Sequence, residues 1–211
     1  MKIIRNNIFR PKIKNSVLIV GLPGFGNVGK IVSNLLIKTL DAKLFTEIYS
    51  SSLPDHVLVD ENGVCRPPKY EFYVSTDRNL VVLTSETQPP LEDVKGYYDM
   101  CDEALNLMGE YDCQFLITID GFPSTSTSRN IHIAATSSKT IAKYMERGLM
   151  IYGGTKIVGS SGLFLGMAKE RGLKGICLLG STSKLSADQE TALRIFKFLT
   201  KNLDLPLKEE L

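Results

Sequence analysis

The chain has 211 residues, enough for one domain that buries roughly 70% of the surface its unfolded form exposes, so no metal or disulfide staple is required. Its 25 Lys and Arg against 23 Asp and Glu leave a formal charge of +2 with no long run of one sign, which argues against a nucleic-acid or membrane partner. The four cysteines, Cys65, Cys101, Cys113 and Cys177, form no C-x-x-C pair and stand beside no histidine that would complete a zinc site. They read as reduced core residues of a cytoplasmic protein.

The opening stretch, Met1 to Arg10, is basic and broken by polar residues. It lacks the apolar run of a signal peptide or spanning helix, so export is not expected. Ser16 to Val20 is a short apolar run rich in β-branched residues and ended by Gly21 and Pro23, the pattern of a strand covered on both faces. Val28, Ile31, Val32, Leu35 and Leu36 then recur at three- and four-residue spacing, the stripe of a helix packed on that sheet. A second strand is expected over Lys43 to Tyr49.

Apolar runs at Val57 to Val59, Tyr70 to Val74 and Leu80 to Leu83 are separated by Asn62-Gly63, Pro67-Pro68 and Asp77-Arg-Asn79. These turn signals between strands predict an antiparallel portion of the sheet. After Gln88-Pro-Pro90, the spacing of Val94, Tyr97, Cys101, Leu105 and Met108 predicts a long helix, followed by a buried strand at Phe115 to Ile119. Asp120 to Asn130, with its Ser124-Thr-Ser-Thr-Ser128 run, reads as a polar loop. Strands at Ile131 to Ala135 and Ile176 to Leu179 and helices at Lys139 to Glu146 and Leu163 to Lys169 complete an α/β pattern, a mixed sheet flanked by helices. In the last helix Ser186 with Gln189 suggests a capping box, and Ala192, Ile195, Phe196, Leu199 and Leu203 form the apolar face. No internal repeat or boundary interrupts residues 1–211, so a single domain is expected.

Two glycine clusters stand out. Gly24-Phe-Gly-Asn-Val-Gly29 follows a strand and opens a helix, the setting in which G-x-G-x-x-G cradles a dinucleotide pyrophosphate, with Glu47 about 20 residues on in the place of a ribose-binding acid. The same glycines are also what a strand needs to turn tightly into a helix packed against it. Gly24 to Lys30 fits the frame of a P-loop, but Ile31 replaces the Ser or Thr that holds magnesium, so Lys30 reads as a solvated residue near a helix start. Gly153-Gly154 and Gly159-Ser-Ser-Gly162 precede a helix without the G-x-S-x-G spacing of a nucleophile elbow, which leaves Ser160 or Ser161 as an N-cap.

The chain has only two histidines. His56 fits a turn, and His132, between Ile131 and Ile133, fits the outer face of a strand. Asp120, at the C-terminal end of a buried strand, is better placed to line a ligand crevice, or else caps a loop. The candidate binding residues are Gly24, Gly26, Asn27, Gly29, Lys30, Asp120, Gly159, Ser160, Ser161 and Gly162. No catalytic residue, metal ligand or cofactor is assigned.

Together these residues resemble the proteasome assembly chaperone family in its archaeal-type, single-domain form. The resemblance rests on Leu22-Pro-Gly-Phe-Gly-Asn-Val-Gly29, on Ile157-Val-Gly-Ser-Ser-Gly-Leu-Phe-Leu-Gly166 with Arg171-Gly172 and Gly175-Ile-Cys-Leu-Leu-Gly180, and on Asp188-Gln-Glu-Thr-Ala192 opening the last helix. It implies a three-layer, phosphorylase-like fold used as a scaffold, homo-oligomeric assembly, and proteasome subunits or proteasome-associated proteins as partners. Members that dock into proteasome rings by a tail end it in a hydrophobic residue, tyrosine and any residue. This sequence ends Leu207-Lys-Glu-Glu-Leu211, which shifts the expectation towards an adaptor role. The competing expectation is an enzyme or sensor binding a nucleotide or nucleoside at residues 24–30 and 159–162.

Overall fold

A computed structural model describes residues 2–124 and 130–203. Residues 125–129 of the expected serine-rich loop and the tail motif at 207–211 lie outside the described residues. The strands are β1 (Ile3–Asn7), β2 (Ser16–Val20), β3 (Lys43–Ser50), β4 (Leu58–Val59), β5 (Cys65–Arg66), β6 (Tyr70–Ser75), β7 (Leu80–Ser85), β8 (Cys113–Pro123), β9 (Ile131–Ala135), β10 (Met150–Ile151) and β11 (Lys174–Thr182). The helices are α1 (Val28–Thr39), α2 (Val94–Gly109), α3 (Ser138–Met145), α4 (Ser160–Glu170) and α5 (Gln189–Asn202).

Nine strands form one mixed sheet in the order β1-β3-β6-β7-β2-β8-β11-β9-β10. The central four, β7, β2, β8 and β11, are parallel, and β1, β3 and β6 extend them by antiparallel pairing. This is the three-layer α/β architecture expected. On one face α2 and α4 bury Met100, Cys101, Ala104 and Phe164 against Leu18, Val20, Phe72 and Leu83. On the other, α1, α3 and α5 bury Val28, Val32, Tyr144, Ile195 and Phe196 against Ile19, Val82, Ile117 and Ile176. Fully burying a side chain of this size stabilises by about 1.5–3 kcal/mol, and strand β2 contributes to both faces at once. That is why its sequence is apolar throughout rather than alternating.

The structure departs from the sequence expectations at identifiable points. The ladder between β8 and β11 runs from Lys174↔Phe115 to Thr182↔Pro123, so Asp120 to Pro123 belong to a strand and not to the loop. Val57 to Val59 falls outside the main sheet: β4 and β5 form a separate two-stranded hairpin. The carboxylate of Asp60 accepts the N–H groups of Asn62 and Val64 across the hairpin turn. The N-terminal stretch contributes edge strand β1, held by Arg5, whose guanidinium bonds Glu103 on α2 and Glu110 at its C-cap.

Helix α5 is capped by Asp188 and not by Ser186. The Asp188 carboxylate accepts the Thr191 N–H at 3.1 Å and the Thr191 hydroxyl at 2.8 Å. Of the cysteines, Cys101 and Cys177 are buried as expected, whereas Cys65 is exposed on the hairpin. Among the described residues no helix is long and apolar enough to cross a membrane.

Candidate functional site

Parallel strands leave the ends of their backbone ladders unpaired where the chain turns away, and ligand crevices in α/β sheets open there, outside the carboxyl ends. In this chain the ends of β7, β2, β8 and β11 meet the loop 21–27, the segment Glu86 to Leu91 and the irregular segment 152–159. Between them lies a cleft of about 780 Å³. Its lining includes Pro23, Gly24, Phe25, Gln88, Tyr97, Asp120, Phe122, Tyr152, Lys156 and Gly159.

Asp120 sits at the floor. Its Oδ1 accepts the N–H of Gly121 at 2.8 Å, and the side chain presses so closely on the first glycine loop that a Cβ on Gly24 would lie 2.3 Å from Oδ1. Glycine at position 24 is therefore a condition for the carboxylate being where it is. Burial pushes the Asp120 carboxyl up to about 6, and the N–H groups of Gly121 and Phe25 and the Ser161 hydroxyl offset only part of that rise. Among the described residues no Lys or Arg forms an ion pair with it. A carboxylate withdrawn this far from water without a cation partner is costly to the fold, and such groups are over-represented where a protein meets a ligand.

The second glycine loop supplies the opposite wall. Gly159 occupies the N-cap position of α4 with φ +88° and with no side-chain capping bond, so neither Ser160 nor Ser161 is the cap. Both serines are buried in the first turn. The Ser160 hydroxyl donates to Gln88 Oε1, and the Gln88 amide in turn donates to the carbonyl of Pro23. One side chain thus ties the two glycine loops together. Ser161 donates to the carbonyl of Ile119 at 3.5 Å.

The structure brings Gly24, Asp120 and Gly159 together around one cleft, with Ser160 and Ser161 buried behind its wall through their bonds to Gln88 and to the Ile119 carbonyl, while Gly162 lines an adjoining apolar groove. It does not bring in the rest. The carbonyl of Gly26 accepts the N–H of Asp188 at 2.8 Å, and Gly29 packs on the carbonyl of Ile119. Asn27 is the left-handed residue, φ +53°, that starts α1. Lys30 is half-buried, not solvated, and burial lowers its pKa against the opposing pull of Glu86 and Glu71.

Glu47 does not face the glycine loop either. Strands β6 and β7 separate its strand from β2, and its carboxylate is bound by Lys69, by Asn6 at 2.8 Å and by Tyr49 at 3.0 Å. With Lys30 elsewhere and a carboxylate against Gly24, the first glycine loop presents negative charge where a pyrophosphate would sit. His56 is exposed. His132 is half-buried, edge-on to Phe122 at 5.0 Å, rather than on an open face.

Gln88, Tyr97, Phe122, Tyr152 and Lys156 also line the cleft and are not among the residues expected from the sequence. Gln88 had a usable signal, since it follows the end of a buried strand. The others reach the cleft from a helix, a strand extension and an irregular segment.

Next to the cleft, and sharing Leu91, Tyr97, Ile157, Val158 and Gly159 with it, is an apolar groove of about 700 Å³ between α2 and α4. Leu91, Val94, Tyr98 and Val158 stand more than half exposed along it, Leu91 at 71%. A contiguous apolar patch on a surface marks a contact region far better than isolated exposed residues do.

The sequence model of the PAC2 family matches residues 18–210. An uncharacterized protein of Methanocaldococcus jannaschii is 30% identical over 203 residues, which cover 93% of this chain and 78% of that protein. Among solved structures, Pyrococcus furiosus PbaB, an archaeal proteasome activator, superposes with a TM-score of 0.90 and 31% identity, covering 98% of this chain and 91% of that one. Pyrococcus furiosus PbaA, an archaeal homolog of proteasome-assembly chaperone, superposes with a TM-score of 0.81 and 27% identity, covering 98% and 88%.

Proposed function

As the chain belongs to the PAC2 family, we propose that it is a chaperone or adaptor of the proteasome system, working through protein contacts and not through chemistry. The observation that carries this reading is the likeness to PbaB, which extends over 98% of the chain at 31% identity. Function resides in sites and not in folds, and the surface supports the same reading. The apolar groove between α2 and α4 is the kind of surface a protein partner covers. The glycine loops are occupied by packing, with Gly26 joined to the α5 cap and Gly29 pressed on β8.

In this reading the protein is cytoplasmic and folds as a single domain over residues 1–211. It assembles as a homo-oligomer and has proteasome subunits or proteasome-associated proteins as partners. The test is affinity purification of the folded, tagged chain from its native source, with mass spectrometry of the eluate and native mass spectrometry of the chain alone. Co-purifying proteasome subunits and a defined oligomer are expected. Recovery of a folded monomer without proteasome components would sink the reading.

A further inference from the structure

Two features of the cleft require a ligand chemistry of their own. Its floor is a carboxylate that forms no ion pair among the described residues, and its walls carry aromatic rings from four different segments: Phe25, Tyr97, Phe122 and Tyr152. A negative floor and π faces together favour a cationic group, and a guanidinium above an ammonium, because it is more weakly hydrated, planar and able to stack. From the cleft the wall continues without a break into the exposed apolar groove of α2 and α4.

We propose that the cleft receives an arginine side chain of a partner polypeptide, whose neighbouring apolar residues lie in the groove between α2 and α4. The proposal rests on the protein-binding role above and names the partner chemistry that role uses. Asp120 supplies the charge, Gln88 holds the two loops that shape the opening, and Leu91, Val94 and Val158 take the apolar flank. Charge complementarity sets the orientation, and the groove contributes contact area.

The titration of Asp120 supports the assignment. At pH 7 the carboxyl, pushed up to about 6 by burial, is mostly ionised, and at pH 5 it is mostly protonated, so binding of a cation weakens between these values. Three groups near it hold their state over this range. Cys177 beneath it is pushed up to about 12 by burial and stays a thiol, burial likewise raises Tyr97, and Glu86 is held ionised by Arg66 and Lys30 despite burial.

The test uses the whole chain and fluorescence anisotropy with two short labelled peptides. One carries a single arginine flanked by leucines, and the other carries citrulline in its place, which keeps the shape and loses the charge. The arginine peptide is expected to bind about 10-fold more tightly at pH 7, with the preference fading at pH 5. Asp120→Asn, shown by circular dichroism to be folded, abolishes the preference. Val94→Ser weakens both peptides alike and leaves the preference intact.

Equal binding of the two peptides, an unchanged preference in Asp120→Asn, or displacement of the arginine peptide by guanosine at equal concentration would overturn the proposal. Capture of proteasome subunits by the same preparation is scored separately. Failed capture with intact arginine preference removes the chaperone role alone, and intact capture without the preference removes this proposal alone.

Discussion

Two carboxylates on the same sheet, one buried and one half-buried, have opposite fates. Glu47 on β3 is 8% exposed and lies against Lys69, which also reaches Glu71 at 3.1 Å. Despite burial, Lys69, Asn6 and Tyr49 bring the Glu47 carboxyl below its ordinary range. Asp120 on β8 has no such cation among the described residues, and burial pushes it up to about 6. The first site is a closed network that holds the antiparallel half of the sheet together. The second is an open charge at the end of the parallel half, beside a cleft. Pairing separates a structural carboxylate from one available to a ligand.

The comparison breaks most severely if Lys69 is removed. Lys69→Met leaves Glu47 and Glu71 buried without their cation and is expected to cost about 3–5 kcal/mol, read as a lower denaturation midpoint in urea with an unchanged slope. Gly24→Ala comes next. The new Cβ meets only the Asp120 carboxylate, with Oδ1 at 2.3 Å, and that end of the side chain can swing aside, so a loss of about 1 kcal/mol is expected, and it should shrink in a Gly24→Ala, Asp120→Gly double variant because the two residues are in contact.

Asp120→Asn should act in the opposite direction. A carboxyl raised from 3.8 to about 6 in the folded chain penalises the fold by at most about 3 kcal/mol when ionised, at about 1.4 kcal/mol per unit. The penalty is fully present above pH 6 and disappears as the pH falls towards 3.8. At pH 7 the variant is therefore expected to gain about 1–2 kcal/mol, a rise in Tm of roughly 2–8 °C, and the gain should fade by pH 4. Glu47 runs the other way: its stabilisation is present above its unfolded pKa and is lost as acid protonates the folded form. A thermal-shift series from pH 4 to pH 8 on the two proteins separates these slopes. The smallest effect is the exposed pair of Lys43 with Asp41, 2.9 Å apart at 66% and 79% side-chain exposure. Lys43→Ala should leave stability within about 0.5 kcal/mol of the parent, confirming that burial and not pairing alone gives Lys69 its weight.

Of the fold, the sequence made legible the elements whose periodicity is set by being covered on a face: the apolar run Ser16–Val20, the stripe of α1, and the apolar face of α5. It hid β1 and β10, which lie at the two ends of the strand order with one neighbour each and carry mixed patterns. The α5 cap was misassigned because Ser186 and Asp188 are both good acceptors two residues apart. Only the geometry aims Asp188 at the Thr191 N–H.

In the site, the glycines and Asp120 announce themselves by residue type and by their place after a strand, and the motifs at 22–29 and 157–166 carry the family. The sequence alone determined the α/β class, the family and the backbone constraint at both glycine bends, because these depend on local sterics and on pattern. The tertiary structure alone decided that Glu47 is paired while Asp120 is unpaired among the described residues, that Lys30 is half-buried under the pull of Glu86 and Glu71, and that Gln88 joins the two bends through a serine 72 residues away in the chain. Burial and charge pairing depend on what lies across the sheet. Chain neighbours do not encode that distance, and for Asp120 it is the distance that sets both the electrostatics and the opening of the cleft.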